Sequence, residues 1–161
     1  MKRLSSMLVL LVLLALLAAP SVGAHPMKPL TASDHDIEVN CGGGFWEYDL
    51  EGDFSGTAEA YIDFSTVRFP GKTEHWTETM VIAMDGGGTV TIESKGVYNM
   101  NSQHTPKSEF KFRTNGVVTD ATAPWEHLIG ARALGSGYTT HTQVCDPTAE
   151  PIGGEFTLRL N

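Results

Sequence analysis

Pro124 to Gln143 reads P-W-E-H-L-I-G-A-R-A-L-G-S-G-Y-T-T-H-T-Q. It predicts two short strands meeting at a glycine-rich corner, Gly135-Ser136-Gly137. Gly130, Ala131 and Ala133 keep the first strand thin, so a tightly curved sheet or another backbone can approach it. This is the composition of a barrel corner and not of a phosphate-binding loop.

Outward from this stretch the chain alternates with period two, and turn residues separate the runs. Trp46, Tyr48 and Leu50 share a face, as do Ala58, Ala60, Ile62 and Phe64. Trp76, Met80, Ile82 and Met84 share another, then Phe110 with Phe112, and Phe156 with Leu158 and Leu160. Gly52 to Gly56, Pro70-Gly71, Asp85 to Gly88 and Asn115-Gly116 supply turn signals, the last being the strongest short hairpin signal. Gly96 predicts a bulge or bend inside a long strand. No helical period follows the N-terminal segment. The expectation is an all-β fold, an antiparallel eight-stranded up-and-down β-barrel. A Greek-key sandwich would need longer crossovers.

Lys2 and Arg3, the apolar run Met7 to Ala19, and the small residues Ser21 to Ala24 have the three-part layout of a signal peptide cut after Ala24. The apolar run is short for a membrane span of ~20 residues. The expected organisation is therefore a signal over 1–24, an N-terminal arm over 25–40 that is poorly ordered, and one barrel domain over 41–161. The protein is expected to be secreted, periplasmic or extracellular. Two of the 11 Lys+Arg fall in the signal, and 19 Asp+Glu outnumber the rest. With no run of basic residues, this balance argues against nucleic acid and anionic membranes as partners.

Cys41 and Cys145 are an even pair in an exported chain, which suggests one disulfide; two free thiols or metal ligation are the alternatives. If the strand after Cys41 is the first and the one ending at Val144 the eighth, closing the barrel brings both cysteines to one rim. The Cα separation of ~5.5–6 Å that a disulfide requires then becomes attainable.

Gly130-Ala131-Arg132-Ala133-Leu134-Gly135-Ser136-Gly137 resembles the glycine-rich corner of allene oxide cyclase-like and dirigent-like barrels. Gly88 to Tyr98 (G-T-V-T-I-E-S-K-G-V-Y) resembles the strand before it. The resemblance covers most of Cys41 to Asn161 and implies an eight-stranded barrel of lipocalin-like shape with a central hydrophobic cavity. Pro124-Trp125-Glu126-His127 stands where the family has a Gly-Gly-Thr-Gly-like run. No residue matches the family's catalytic carboxylate or cysteine motif, so the shape carries over and the cyclase activity does not.

Four groups of residues could carry chemistry. Trp46, Tyr48, Trp76, Phe110, Phe112 and Trp125 could line a cavity for a small hydrophobic ligand, or simply fill the barrel, whose eight-stranded interior is just wide enough for either. His25 would be the first mature residue, and its α-amine and imidazole could chelate copper with His127 or His141. A histidine following the cleavage site by chance, on a floppy arm, is the plainer explanation. Asp34-His35-Asp36 with Glu38 could hold a divalent ion, though a solvated acidic segment explains it as well. His75, His104, His127 and His141 could do acid–base work beside Glu74 or Glu126, or sit as ordinary strand and surface residues. The leading reading is a ligand-binding barrel with no catalysis assigned and no cofactor. An enzyme of cyclase or isomerase type, acting on a lipid or phenolic intermediate, is the first alternative, and a copper-binding exported protein the second.

Overall fold

The computed structural model describes residues 28–40, 45–68, 73–99, 110–139 and 154–161. Nine strands form in chain order: β1 Leu30–Asp34, β2 Glu38–Asn40, β3 Phe45–Gly52, β4 Gly56–Arg68, β5 Thr73–Met84, β6 Thr89–Asn99, β7 Phe110–Ala121, β8 Arg132–Thr139 and β9 Gly154–Leu160. Each of β3 to β8 pairs antiparallel with the next. β1 pairs with β9 on one side and β3 on the other, and β2 continues along β3, so β1 and β2 occupy one position and the sheet closes. The result is a closed antiparallel barrel of eight strand positions, as the alternation predicts.

The count of eight is reached by a different path from the expected one. Asn115-Gly116 is not a hairpin: both residues lie inside the continuous strand β7, with Asn115 opposite Lys95 and Gly116 opposite Ser94. Gly135-Ser136-Gly137 is not a corner: it lies inside β8, flanked by β7 and β9. Residues 124–131 form no strand but a connection with a single 3-10 turn, Glu126–Leu128. Two expected strand pairs are therefore two single strands. The deficit is made up by β9 and by the segment expected to be an arm, whose Leu30–Asp34 closes the barrel. The seam consequently lies at β1, and β8 does not pair with β3.

One physical fact explains these differences. A glycine in a turn supplies backbone freedom, whereas a glycine facing the inside of a narrow barrel supplies empty space. A Cβ on Gly96 would stand 2.5 Å from Trp76 Nε1, and closer still to Cε2 and Cζ2 of the same indole. On Gly135 it would stand 2.8 Å from Phe156 Cε2, on Gly137 2.8 Å from Phe112 Cζ, and on Gly116 2.5 Å from Ser94 Cβ. These four glycines are seats for neighbouring inward side chains. The register runs straight through Gly96, so no bulge forms there. Gly87 and Gly88, with φ of 85° and 84°, do make the expected turn between β5 and β6.

The barrel has two unlike ends. At the turn end lie the turns after β3 and β5, the connection between β7 and β8, and Asn161. At the other end, called the connector end, lie Asn40, Phe45, Arg68, Thr73, Asn99, Phe110, Thr139 and Gly154, where the described strands stop. Toward the turn end the interior is closely packed: Leu50, Ile82, Val90, Val118, Leu128, Leu158 and Leu160 are at most 2% exposed. Each such burial contributes roughly 1.5–3 kcal/mol. The outward wall is polar, with Asp49, Glu51, Asp63, Thr79, Glu93, Lys95 and Arg113 all exposed. A lipid-facing barrel needs an apolar band there. Among the described residues no helix is long and apolar enough to cross a membrane.

Candidate functional site in the upper barrel

Strand β5 shows how the interior changes along its axis. From the turn end its inward residues are Met84, Ile82 and Met80, all buried and apolar; then Glu78, buried; then Trp76 and Glu74, half-buried. Glu78 sits on the inward face by strand parity alone. Its Oε2 accepts a hydrogen bond from Trp76 Nε1 at 2.7 Å, and its Oε1 accepts one from Ser94 Oγ at 2.7 Å. Burial pushes the Glu78 carboxyl above the ordinary carboxylate range, and the two hydrogen bonds offset this only in part. Desolvation favours the uncharged form, so the acid at mid-height keeps its proton to a higher pH than a free carboxyl does.

Phenols and aromatic rings surround this acid. Tyr48, buried on β3, has its ring centroid 4.5 Å from that of Phe156, which stacks on Phe112 at 5.9 Å and 13°. Burial, reinforced by the negative fields of Glu78 and Asp34, holds the Tyr48 phenol well above its usual value. Burial, then the nearby Glu74, raises Tyr98. Glu74 is raised by burial as well. Thr114 and Thr139 are buried on the same half of the wall. The half toward the connector end thus presents rings, hydroxyls and a buried carboxyl whose pKa is raised. Such a lining suits an uncharged, largely apolar molecule with one or two hydrogen-bonding groups.

Of the six aromatics expected to line a cavity, Trp46, Tyr48, Trp76 and Phe112 lie on this wall, Trp46 and Trp76 half-buried against the core. The Phe110 backbone lies in β7, and its side chain is outside the described residues. Trp125 belongs elsewhere. It sits on the connection at the turn end, donates from Nε1 to the Gly87 carbonyl at 2.9 Å, and stacks on His127. The strand expected around it does not form, so it never reaches the inner wall.

The possible metal ligands are scattered. His25, His104 and His141 lie outside the described residues, as do Cys41 and Cys145. His127 is exposed at the turn end, with Nδ1 3.1 Å from the Pro124 carbonyl oxygen. His75 is exposed on β5. Asp34 is buried and serves the backbone: Oδ1 accepts from the Asp36 amide at 2.9 Å and Oδ2 from the Asp49 amide at 3.3 Å. That holds the kink between β1 and β2 against β3. His35 lies 3.7 Å from Glu155. Among the described residues no group of three or more His, Cys, Asp or Glu could hold a metal ion.

Sequence reasoning passed over Glu78, although the signal was available: it alternates with Trp76 and Met80 on a strand whose other inward residues were recognised. A carboxylate interrupting an inward apolar series marks a buried acid. The comparisons add no name. No family model, curated protein or solved structure matches the chain. The closed eight-stranded barrel agrees with the general shape of allene oxide cyclase-like barrels, and no sequence match ties it to that family.

Proposed function

We propose that the protein is exported after removal of residues 1–24 and binds a small hydrophobic molecule in the half of the barrel toward the connector end. The observation that carries this reading is the split along the axis. Apolar side chains pack one half, whereas the other is lined by aromatic rings seated on glycines and by the buried carboxyl of Glu78. A barrel built only for stability would carry apolar residues at Glu78 and Ser94 too, because buried polar groups bring little net stability. The ligand is uncharged and mostly apolar, and a carbonyl or hydroxyl on it meets Glu78 or a tyrosine. Native mass spectrometry of protein purified from its source should show a non-covalent adduct. A fluorescent hydrophobic probe should compete for that site and quench tryptophan emission. An unliganded mass together with no probe binding would refute this function.

One observation favours a second reading. Glu78 is buried, held by two hydrogen bonds, and has its carboxyl raised above the ordinary range, which suits a general acid. In that case the barrel would hold a reactive lipid or phenolic intermediate in one conformer while Glu78 supplies a proton to it. Glu78→Gln separates the two: it abolishes turnover in an enzyme but leaves a binding protein able to take up the same probe.

A further inference from the structure

The outer wall carries a feature that the interior does not explain. A groove of about 550 Å³ runs across β6, β7, β8, β9 and β1 on the outside of the barrel. Lys95, Arg113, Arg132 and Arg159 line it, and among the described residues no aspartate or glutamate does. The chain as a whole has 19 Asp+Glu against 11 Lys+Arg, so this concentration runs against its composition. Among the described residues the one ion pair is that of His35 with Glu155, so none of the four cations is paired with a described carboxylate. All four side chains are exposed. Two guanidiniums are held from behind: Arg132 Nε donates to Asn115 Oδ1 at 3.3 Å, and Arg159 Nε to Asn161 Oδ1 at 2.7 Å. Their terminal nitrogens remain for a ligand. Clustered like charges repel one another, and an anion between them removes that cost.

The geometry points to a binding site for an acidic polysaccharide. Lys95, Asn115, Leu134 and Arg159 share one row across four strands. At ~4.8 Å per strand, Lys95 and Arg159 lie roughly 14 Å apart, more than a single phosphate or sulfate can span. The occupant is therefore extended and repeatedly charged. Val97 and Leu134, both half-buried, form an aliphatic floor between the cations, which suits the C–H face of a sugar ring. Among the described residues no aromatic side chain lines the groove, so none of them stacks nucleic-acid bases there. The surrounding strands are paired on both sides, so an acidic peptide has no open edge to extend. Arginine forks matched to carboxylate or sulfate would give orientation as well as charge.

The test uses the mature chain on immobilised heparin and polygalacturonate, with neutral dextran as control. Retention is expected on both acidic polymers, falling with salt, and absent on dextran. Arg113→Glu with Arg159→Glu should weaken retention by at least ~10-fold, since each loses a charge-assisted contact. Lys28→Ala, outside the groove, should leave it unchanged. Both arginines point outward, and circular dichroism checks that the variant folds; if it does not, Arg113→Gln alone carries the comparison. Equal retention of wild type and the groove variant overturns the proposal, as does retention on dextran. Binding of single-stranded DNA as tight as that of the glycans would overturn the choice of sugar. Low-salt self-association that the variant abolishes, without glycan retention, would assign the groove to a second copy instead.

Discussion

Gly96→Ala tests the seat on which the upper barrel depends. The added methyl would occupy the space of the Trp76 indole, so either the ring leaves or β6 shifts away from it. Overpacking of this kind costs roughly 1–3 kcal/mol. If the ring leaves, its 2.7 Å hydrogen bond to Glu78 is lost, and one buried carboxyl oxygen is left wanting, at about 1–3 kcal/mol more. The two losses overlap, so a destabilisation of roughly 2–5 kcal/mol is expected. The sign is informative, because Gly→Ala at an unobstructed position stabilises by about 0.4–1 kcal/mol through the unfolded chain. Urea unfolding followed by far-ultraviolet circular dichroism measures the change. Repeating the substitution in a Trp76→Ala background closes a double-mutant cycle. There the methyl meets no ring, and the cost should vanish. A variant within ~0.5 kcal/mol of wild type, or an equal cost without Trp76, would refute the packing of indole on glycine.

Three further outcomes follow from the same structure. The Glu78 carboxyl is raised in the fold, so above the ordinary value of 4.5 the unfolded chain releases a proton that the native state keeps. Its stabilising contribution is present below that pH and is lost as pH rises toward the folded pKa. Glu78→Gln should gain Tm relative to wild type as pH rises from 4 toward neutrality; a pH-independent difference would contradict a carboxyl raised by burial. A chain beginning at Glu38 lacks β1 and bares the edges of β3 and β9, so size-exclusion chromatography should show aggregation and urea no cooperative transition. A well-behaved monomer would show that β1 is dispensable. Cys41 and Cys145 lie outside the described residues, but Asn40, Phe45, Thr139 and Gly154, which flank their segments in the chain, are at one end of the barrel, so pairing is proposed. Alkylation of the denatured, unreduced protein should leave both unmodified, and replacing them with serine should cost roughly 4–5 kcal/mol on the chain-entropy view. Two labelled thiols would end that proposal.

The amino-acid sequence by itself determined the all-β class and, through its period of two, which residues face inward. Side-chain parity is a local property, and it survives whatever the strands pair with: Tyr48, Leu50, Met80, Ile82, Phe112 and Phe156 are inside as their alternation requires. The role of each glycine is not local. Gly96, Gly116, Gly135 and Gly137 read as turn or bend residues because the space each leaves belongs to a side chain on another part of the chain. The sequence shows that a residue has no side chain, but only the neighbouring strand shows what lies in its place. The closing strand was obscure for a related reason, since Leu30–Asp34 is short and polar and becomes a strand only between the ready edges of β9 and β3. The raised pKa of Glu78 and the gathering of Lys95, Arg113, Arg132 and Arg159 were likewise decided by the tertiary structure. Desolvation and charge density depend on what surrounds a group in space, and four cations on four different strands are neighbours only once those strands have paired in register.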